Sequence, residues 1–324
     1  MRSAVLPRGV ATLAAALLAT SLGIVAPTVA APSSPPAHPD IVAASTTLSF
    51  RLPELVGRRH VPNARNLAMR SRAGGPLLLF LPATGAVPGD YRAFLDTASA
   101  LGYHVLGLDY WNVGLSVART CGPVASCYGQ VQANRLDGRR PGPYSSVSPA
   151  DSILSRLADA LAVLRTRDPA GGWGRYLSSD RVRWNRIVVA GHSQGGGESA
   201  YIAHLHRVQG VLLFASPVST DGPVVPSWMS HPGATPTSRY FGFDDVHDVY
   251  FNRIQAAWTA LAIGAHRVLS RVDLGTPGEA HGRLVADDGP RTARGVPLFQ
   301  PIWRRMLVAV QTPADAYELP RVVS

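Results

Sequence analysis

The chain has 324 residues, 46% hydrophobic and 16% charged, with 31 glycines, 27 prolines and two cysteines. A chain this long buries roughly three quarters of its unfolded surface, so it needs neither disulfide staples nor a structural metal, and a knottin, a zinc-ribbon array and a disordered tail are excluded. All 31 basic residues are arginine and outnumber the 21 acids, giving a net charge of +10, but they are scattered in ones and twos without any nucleic-acid motif, so no nucleic-acid partner is expected.

At the start, Arg2 and Arg8 precede an apolar Ala/Leu-rich run from Gly9 to about Val25, followed by Pro27 and the small residues Thr28, Val29, Ala30 and Ala31. This is the layout of a secretory signal peptide over 1–30, with cleavage expected before Ala31 and no stable membrane anchor left behind. Its removal takes away two arginines and no acid, lowering the net charge to +8. The Pro/Ser-rich stretch 31–45 reads as a linker, and 46–324 reads as one domain, with no internal repeat and no second apolar span.

Leu77 to Leu81 is continuously apolar between Gly75-Pro76 and Pro82, the pattern of a strand buried on both faces. A helix is expected from Tyr91 to Leu101 and a second strand from His104 to Tyr110, with Asp109 at its polar end. Trp111 to Val147 reads as a loop containing Cys121 and Cys127. An exported chain meets an oxidising compartment, so these two are predicted to pair, and with no histidine or further cysteine nearby a metal site is not expected. Ser148-Pro149-Ala150-Asp151 offers a helix start, and Ile153, Leu154, Leu157, Leu161 and Leu164 form one apolar face after it. Ile187 to Ala190, Val211 to Phe214 and Tyr240 to Phe243 read as short strands, and His266 opens another. Helices are expected over Glu198–Val208, Tyr250–Ile263 and Pro301–Val310. Alternating strands and helices predict an α/β fold, a mostly parallel central sheet with helices on both faces and a site at the carboxyl ends of its strands.

Directly after the strand ending at Ala190 comes Gly191-His192-Ser193-Gln194-Gly195-Gly196-Gly197, a G-x-S-x-G string between a strand and a helix. A turn this tight strains the serine backbone, and flanking glycines avoid clashes. It holds Ser193 at the amino end of the next helix, where unpaired N–H groups and a positive partial charge suit a developing oxyanion.

Here the sequence resembles the α/β-hydrolase superfamily from about Leu77 to Val310, and within it the secreted bacterial esterase-type serine hydrolases. The likeness rests on Gly191 to Gly197, on Leu77 to Gly85 as a strand with its oxyanion loop, on Gly107-Leu108-Asp109-Tyr110, and on Ala280-His281-Gly282. It implies one hydrolase domain whose residues run nucleophile, acid, histidine, acting on an ester without metal or organic cofactor.

A serine hydroxyl needs a base, and among the later histidines His204 and His206 lie on the helix leaving the elbow, His231 in a Pro/Ser-rich loop and His266 at a strand start. His281, in a loop after the last strand and before the final helix, stands where the superfamily places its histidine. The acid is expected after Tyr240–Phe243, where Asp244, Asp245, His247 and Asp248 crowd together. Counting G-x-x-D from Gly242 selects Asp245, whereas the resemblance to secreted esterases favours Asp248. The oxyanion donors are expected to be the N–H groups of Gln194 and Thr84, although Pro82-Ala83 departs from the His-Gly that opens this loop in many relatives. Asp109 is read as a structural hydrogen-bonding residue, and Tyr110, Trp111, Tyr144 and Trp228 as packing, with substrate contact the alternative for each. The expected partner is a small or polymeric ester, which leaves lipase, polyester hydrolase, thioesterase and peptidase variants open. The competing reading, a non-catalytic exported binding protein on the same fold, would be marked by a missing Ser193, acid or His281.

Overall fold

The computed structural model describes residues 46–55, 57, 61–71, 74–179, 181–220, 225–312 and 321–323. The expected signal peptide 1–30 and linker 31–45 lie outside the described residues. Among the described residues, no helix is long and apolar enough to cross a membrane.

Among the described residues, eight helices of at least five residues accompany the strands: α1 (Arg92–Ala100), α2 (Val117–Cys121), α3 (Ala125–Asp137), α4 (Ile153–Arg167), α5 (Gln194–Leu205), α6 (Phe251–Ala260), α7 (Pro277–Gly282) and α8 (Gln300–Ala309). The strands are β1 (Thr46–Phe50), β2 (Asn66–Arg70), β3 (Leu77–Leu81), β4 (His104–Gly107), β5 (Leu177–Ser178), β6 (Arg181–Val182), β7 (Ile187–His192), β8 (Gly210–Phe214), β9 (Tyr240–Asp245), β10 (Arg267–Ser270) and β11 (Val322–Val323). Nine of them form one sheet in the order β1-β2-β4-β3-β7-β8-β9-β10-β11, and β5 and β6 pair separately as a small ribbon. β2 is antiparallel to both β1 and β4, and every other pairing in the large sheet is parallel.

β3 sits between β4 and β7, with Leu79 opposite Leu106 on one side and Val189 on the other. All five of its residues have no solvent exposure, the outcome its unbroken apolar run implies. From β3 the chain crosses by α1 to β4 on one side, and from β7 it crosses by α5 to β8 on the other. Right-handed crossovers running in opposite directions put α1 and α5 on opposite faces of the sheet. α8 packs beside α1, with Phe94 edge-on to Trp303 at 5.8 Å, while α3 packs against α4 and α5. The reversal between neighbours β3 and β7 opens a crevice at their carboxyl ends, and this switch point positions the site.

Several local expectations shift. The strand expected to reach Tyr110 ends at Gly107, and the helix after the elbow begins at Gln194 rather than Glu198. Pro149–Asp151 is a separate 3-10 turn, and α4 is capped by Ser152, whose side chain accepts the N–H of Ser155 at 3.3 Å. The segment expected as a loop around the cysteines contains α2 and α3, and Cys121 and Cys127 are joined by a disulfide between them. α3 hides from an apolar-periodicity reading because it buries Gln132, Asn134 and Arg135. β1 and β2 were not anticipated, and β11 follows α8, so β10 is not the final strand.

Candidate active site

Ser193 joins β7 to α5 with φ 52° and ψ −116°, a conformation that costs a non-glycine residue about 1–3 kcal/mol and persists only where the surroundings enforce it. The Ser193 N–H donates to the Phe214 carbonyl at 3.0 Å, and its carbonyl accepts the Gly197 N–H at 3.1 Å. The turn closes so tightly that a Cβ on Gly191 would overlap the backbone of Gly195, and one on Gly195 would overlap the carbonyl of Leu81. Glycine at these positions lets α5 approach the end of β3.

His281 comes from α7, a six-residue helix rather than the expected loop. Thr276-Pro277-Gly278-Glu279 builds its start: the Thr276 side chain accepts the Glu279 N–H at 3.3 Å and the Glu279 carboxylate accepts the Thr276 N–H at 2.8 Å. This T-x-x-E capping box with proline in the first turn is the signal that could have revealed it. His281 Nε2 lies 2.8 Å from Ser193 Oγ, and His281 Nδ1 lies 2.7 Å from Asp248 Oδ2. The Asp248 side chain is fully buried, and its other oxygen accepts the Tyr250 N–H at 2.6 Å. A carboxylate oxygen beside Nδ1 sets the tautomer: Nδ1 carries the proton and Nε2 is left to accept from the Ser193 hydroxyl.

Asp245, the alternative acid, is turned elsewhere. Its Oδ1 accepts the His247 N–H at 2.8 Å and meets the His247 ring at 2.9 Å. Asp244 is buried beside Asp248; burial first, then the Asp248 charge and a hydrogen bond between the two carboxyl groups, hold it well above the usual carboxylate range.

Gln194 is the first residue of α5, where N–H groups have no partner within the helix. In the loop after β3, the Ala83 N–H donates to the Tyr91 hydroxyl at 3.1 Å, the Gly85 N–H to the Asn112 carbonyl at 2.9 Å and the Ala86 N–H to the Ala83 carbonyl at 3.1 Å. Among the described residues no acceptor takes the Thr84 N–H. The Thr84 hydroxyl donates to Gln194 Oε1 at 2.9 Å, tying the two segments together, and the Asn112 amide holds the loop by donating to the carbonyls of Ala83 and Ala86 at 2.6 and 2.8 Å. Asn112 and Tyr250, whose ring meets His281 edge-on at 4.9 Å, were missed in the sequence because nothing local marks a residue that acts across the fold.

A cavity of about 190 Å³ contains Ser193, Gln194, His281 and Thr84 and is walled by Val117, Ala118, Val218 and Tyr250. A larger cavity of about 570 Å³ holds Tyr144, Tyr201, His204 and Trp228 but none of those site residues. Tyr144 and Trp228 therefore do not wall the space over Ser193, and Tyr110 is buried beneath the loop, donating to the Pro82 carbonyl at 2.9 Å. Asp109 is buried against Arg156 at 3.2 Å and accepts the Ala64 N–H at 2.9 Å, a structural cross-link. His206 stacks on Trp184 at 4.9 Å and His266 on Phe241 at 4.5 Å, while the His231 ring meets the Ser227 carbonyl at 2.7 Å.

The sheet order, with Ser193 at its switch point and Asp248 and His281 arriving after β9 and β10, is the α/β fold that the resemblance of the sequence implies. No protein-family model matches the chain, and no curated protein matches it in sequence. Among solved structures it is similar to TT1662 of Thermus thermophilus, at 16% identity over 84% of this chain and 100% of that one, with a TM-score of 0.40. It is also similar to a dienelactone hydrolase of Anabaena variabilis, at 16% identity over 69% and 84% with a TM-score of 0.38. A third is the Pyrococcus furiosus esterase Pf2001, at 11% identity over 82% and 91% with a TM-score of 0.43. The fold class rests on the strand order and crossovers, not on these likenesses.

Proposed function

We propose that this chain is an exported serine hydrolase of carboxylic esters. The observation that carries the reading is the continuous line from Ser193 Oγ to His281 Nε2 at 2.8 Å and from His281 Nδ1 to Asp248 Oδ2 at 2.7 Å, ending on a serine held in a strained elbow. In this mechanism Ser193 attacks the acyl carbonyl while His281 Nε2 takes its proton, and Asp248 orients the ring and stabilises the imidazolium. The carbonyl oxygen, now carrying the negative charge, accepts from the N–H groups of Gln194 and Thr84. His281 returns the proton to the departing alkoxide, leaving an acyl ester on Ser193, and water activated by the same histidine releases the acid. No metal or organic cofactor takes part.

The cavity over Ser193 favours a short acyl group: about 190 Å³ is below the roughly 300–1,000 Å³ of sites for drug-sized ligands. Export is supported by the leading apolar segment and by the disulfide between Cys121 and Cys127. The test is labelling of the purified protein by a fluorophosphonate together with hydrolysis of p-nitrophenyl esters graded by chain length. Labelling at Ser193 that disappears in Ser193→Ala, with kcat/KM highest for short acyl chains, is the expected result. A folded protein that neither labels nor hydrolyses any ester would end the proposal.

A further inference from the structure

His192, the variable residue inside the elbow motif, is 4% exposed and turns away from solvent. Its Nε2 lies 2.8 Å from the backbone carbonyl of His281, and its Nδ1 lies 3.0 Å from the Tyr91 hydroxyl, which accepts the Ala83 N–H at 3.1 Å. A carbonyl only accepts, so Nε2 carries the ring proton and Nδ1 must accept from the Tyr91 hydroxyl. Every group in this chain is then satisfied in one direction: Ala83 N–H to Tyr91, Tyr91 to His192, His192 to the His281 carbonyl. Burial, reinforced by the neighbouring His281, pulls the His192 ring down to about 3, so it stays neutral and the direction does not reverse at ordinary pH. The His281 carbonyl lies in the last turn of the short α7, where carbonyls lack helical partners, and His192 supplies the missing donor.

We infer that His192 and Tyr91 are positioning residues: they form a buried strut that holds the backbone of His281 at a set distance from the loop carrying Thr84, with the strand residue next to Ser193 as its centre. Neither side chain lines the cavity over Ser193, so the strut acts through His281 and through the loop rather than on substrate. The inference rests on the reading of Ser193 and His281 as a working nucleophile and base, and small misplacements of such groups are costly to the chemical step.

The test uses Tyr91→Phe, His192→Leu and His192→Gln, with p-nitrophenyl acetate as substrate and active sites counted by fluorophosphonate titration. Tyr91→Phe keeps the ring packed on Phe80, at 4.7 Å between centroids, and deletes only the hydroxyl, so it decides the matter even if His192→Leu does not fold. The strut predicts that kcat per titrated site falls on the order of tenfold in Tyr91→Phe and His192→Leu with KM little changed. Glutamine, which can both donate and accept, recovers much of that loss. Wild-type kcat per titrated site in Tyr91→Phe, whatever the drop in Tm, would show a merely structural role and overturn the inference, as would a loss confined to KM. A wild-type protein that fails to label at Ser193 overturns the parent reading and the strut with it, an outcome distinct from labelling that is normal in wild type and in the variants.

Discussion

Asp248 meets His281 at 2.7 Å from the far end of a turn that begins at Asp245, whose own carboxyl is taken up by the backbone and ring of His247. Three aspartates stand within five residues, and each has a different set of partners. In the proposed mechanism Asp248→Asn lowers kcat for a p-nitrophenyl ester by about 10⁴ because it offers His281 Nδ1 the wrong partner for its tautomer. Asp245→Asn loses less than about tenfold. Steady-state kinetics of the two purified variants decide it, and equal small losses would remove Asp248 from its role.

Asp244 supplies a sharper contrast. Burial and Asp248 push its carboxyl well above the usual carboxylate range, and an amide is the neutral isostere of the protonated acid. Asp244→Asn is expected to keep kcat within about threefold of wild type, since the hydrogen bond to Asp248 survives. A collapse comparable to Asp248→Asn would mean that Asp244 must exchange its proton during turnover.

The disulfide joins the end of α2 to the start of α3, and α2 contributes Val117 and Ala118 to the wall over Ser193. For so small a ring the chain-entropy account gives about 2 kcal/mol of stabilisation. Replacing both cysteines with alanine should lower stability by that order in urea unfolding and raise KM for short esters while Ser193 remains titratable. An unchanged KM would separate the disulfide from the substrate wall.

Glu198 is buried 3.8 Å from Arg135 on the helix that leaves the elbow. Burial raises its carboxyl from the ordinary 4.5 to about 7, with Arg135 pulling the other way. A raised folded value means that the folded protein retains a proton the unfolded chain has lost, so this contribution to stability is present below about 4.5 and is lost as pH rises through about 7. Glu198→Gln cannot ionise, so the stability of wild type relative to this variant should fall by about 2–3 kcal/mol between pH 5 and pH 8. Urea unfolding of both proteins at the two pH values measures it, and a difference independent of pH would contradict the assignment.

The amino-acid sequence by itself determined what depends on neighbours along the chain. The apolar run Leu77–Leu81 could only be a doubly buried strand, Gly191 and Gly195 were required by the turn around Ser193, and the alternation of strands and helices set the α/β class. It left α3 hidden, because buried Gln132 and Arg135 interrupt the apolar residues Tyr128, Val131 and Leu136 that the same helix buries. The tertiary structure alone decided what depends on distance through space: which aspartate reaches His281, which N–H in the loop after β3 is left without an acceptor, and that His192 faces the back of His281. Asp245 and Asp248 differ by three residues of a turn, and nothing in the order of their neighbours states which carboxyl points at a helix that begins 29 residues further on. Hydrogen bonding reads direction and a few tenths of an ångström, and these are set only when β9, β10 and α7 pack together.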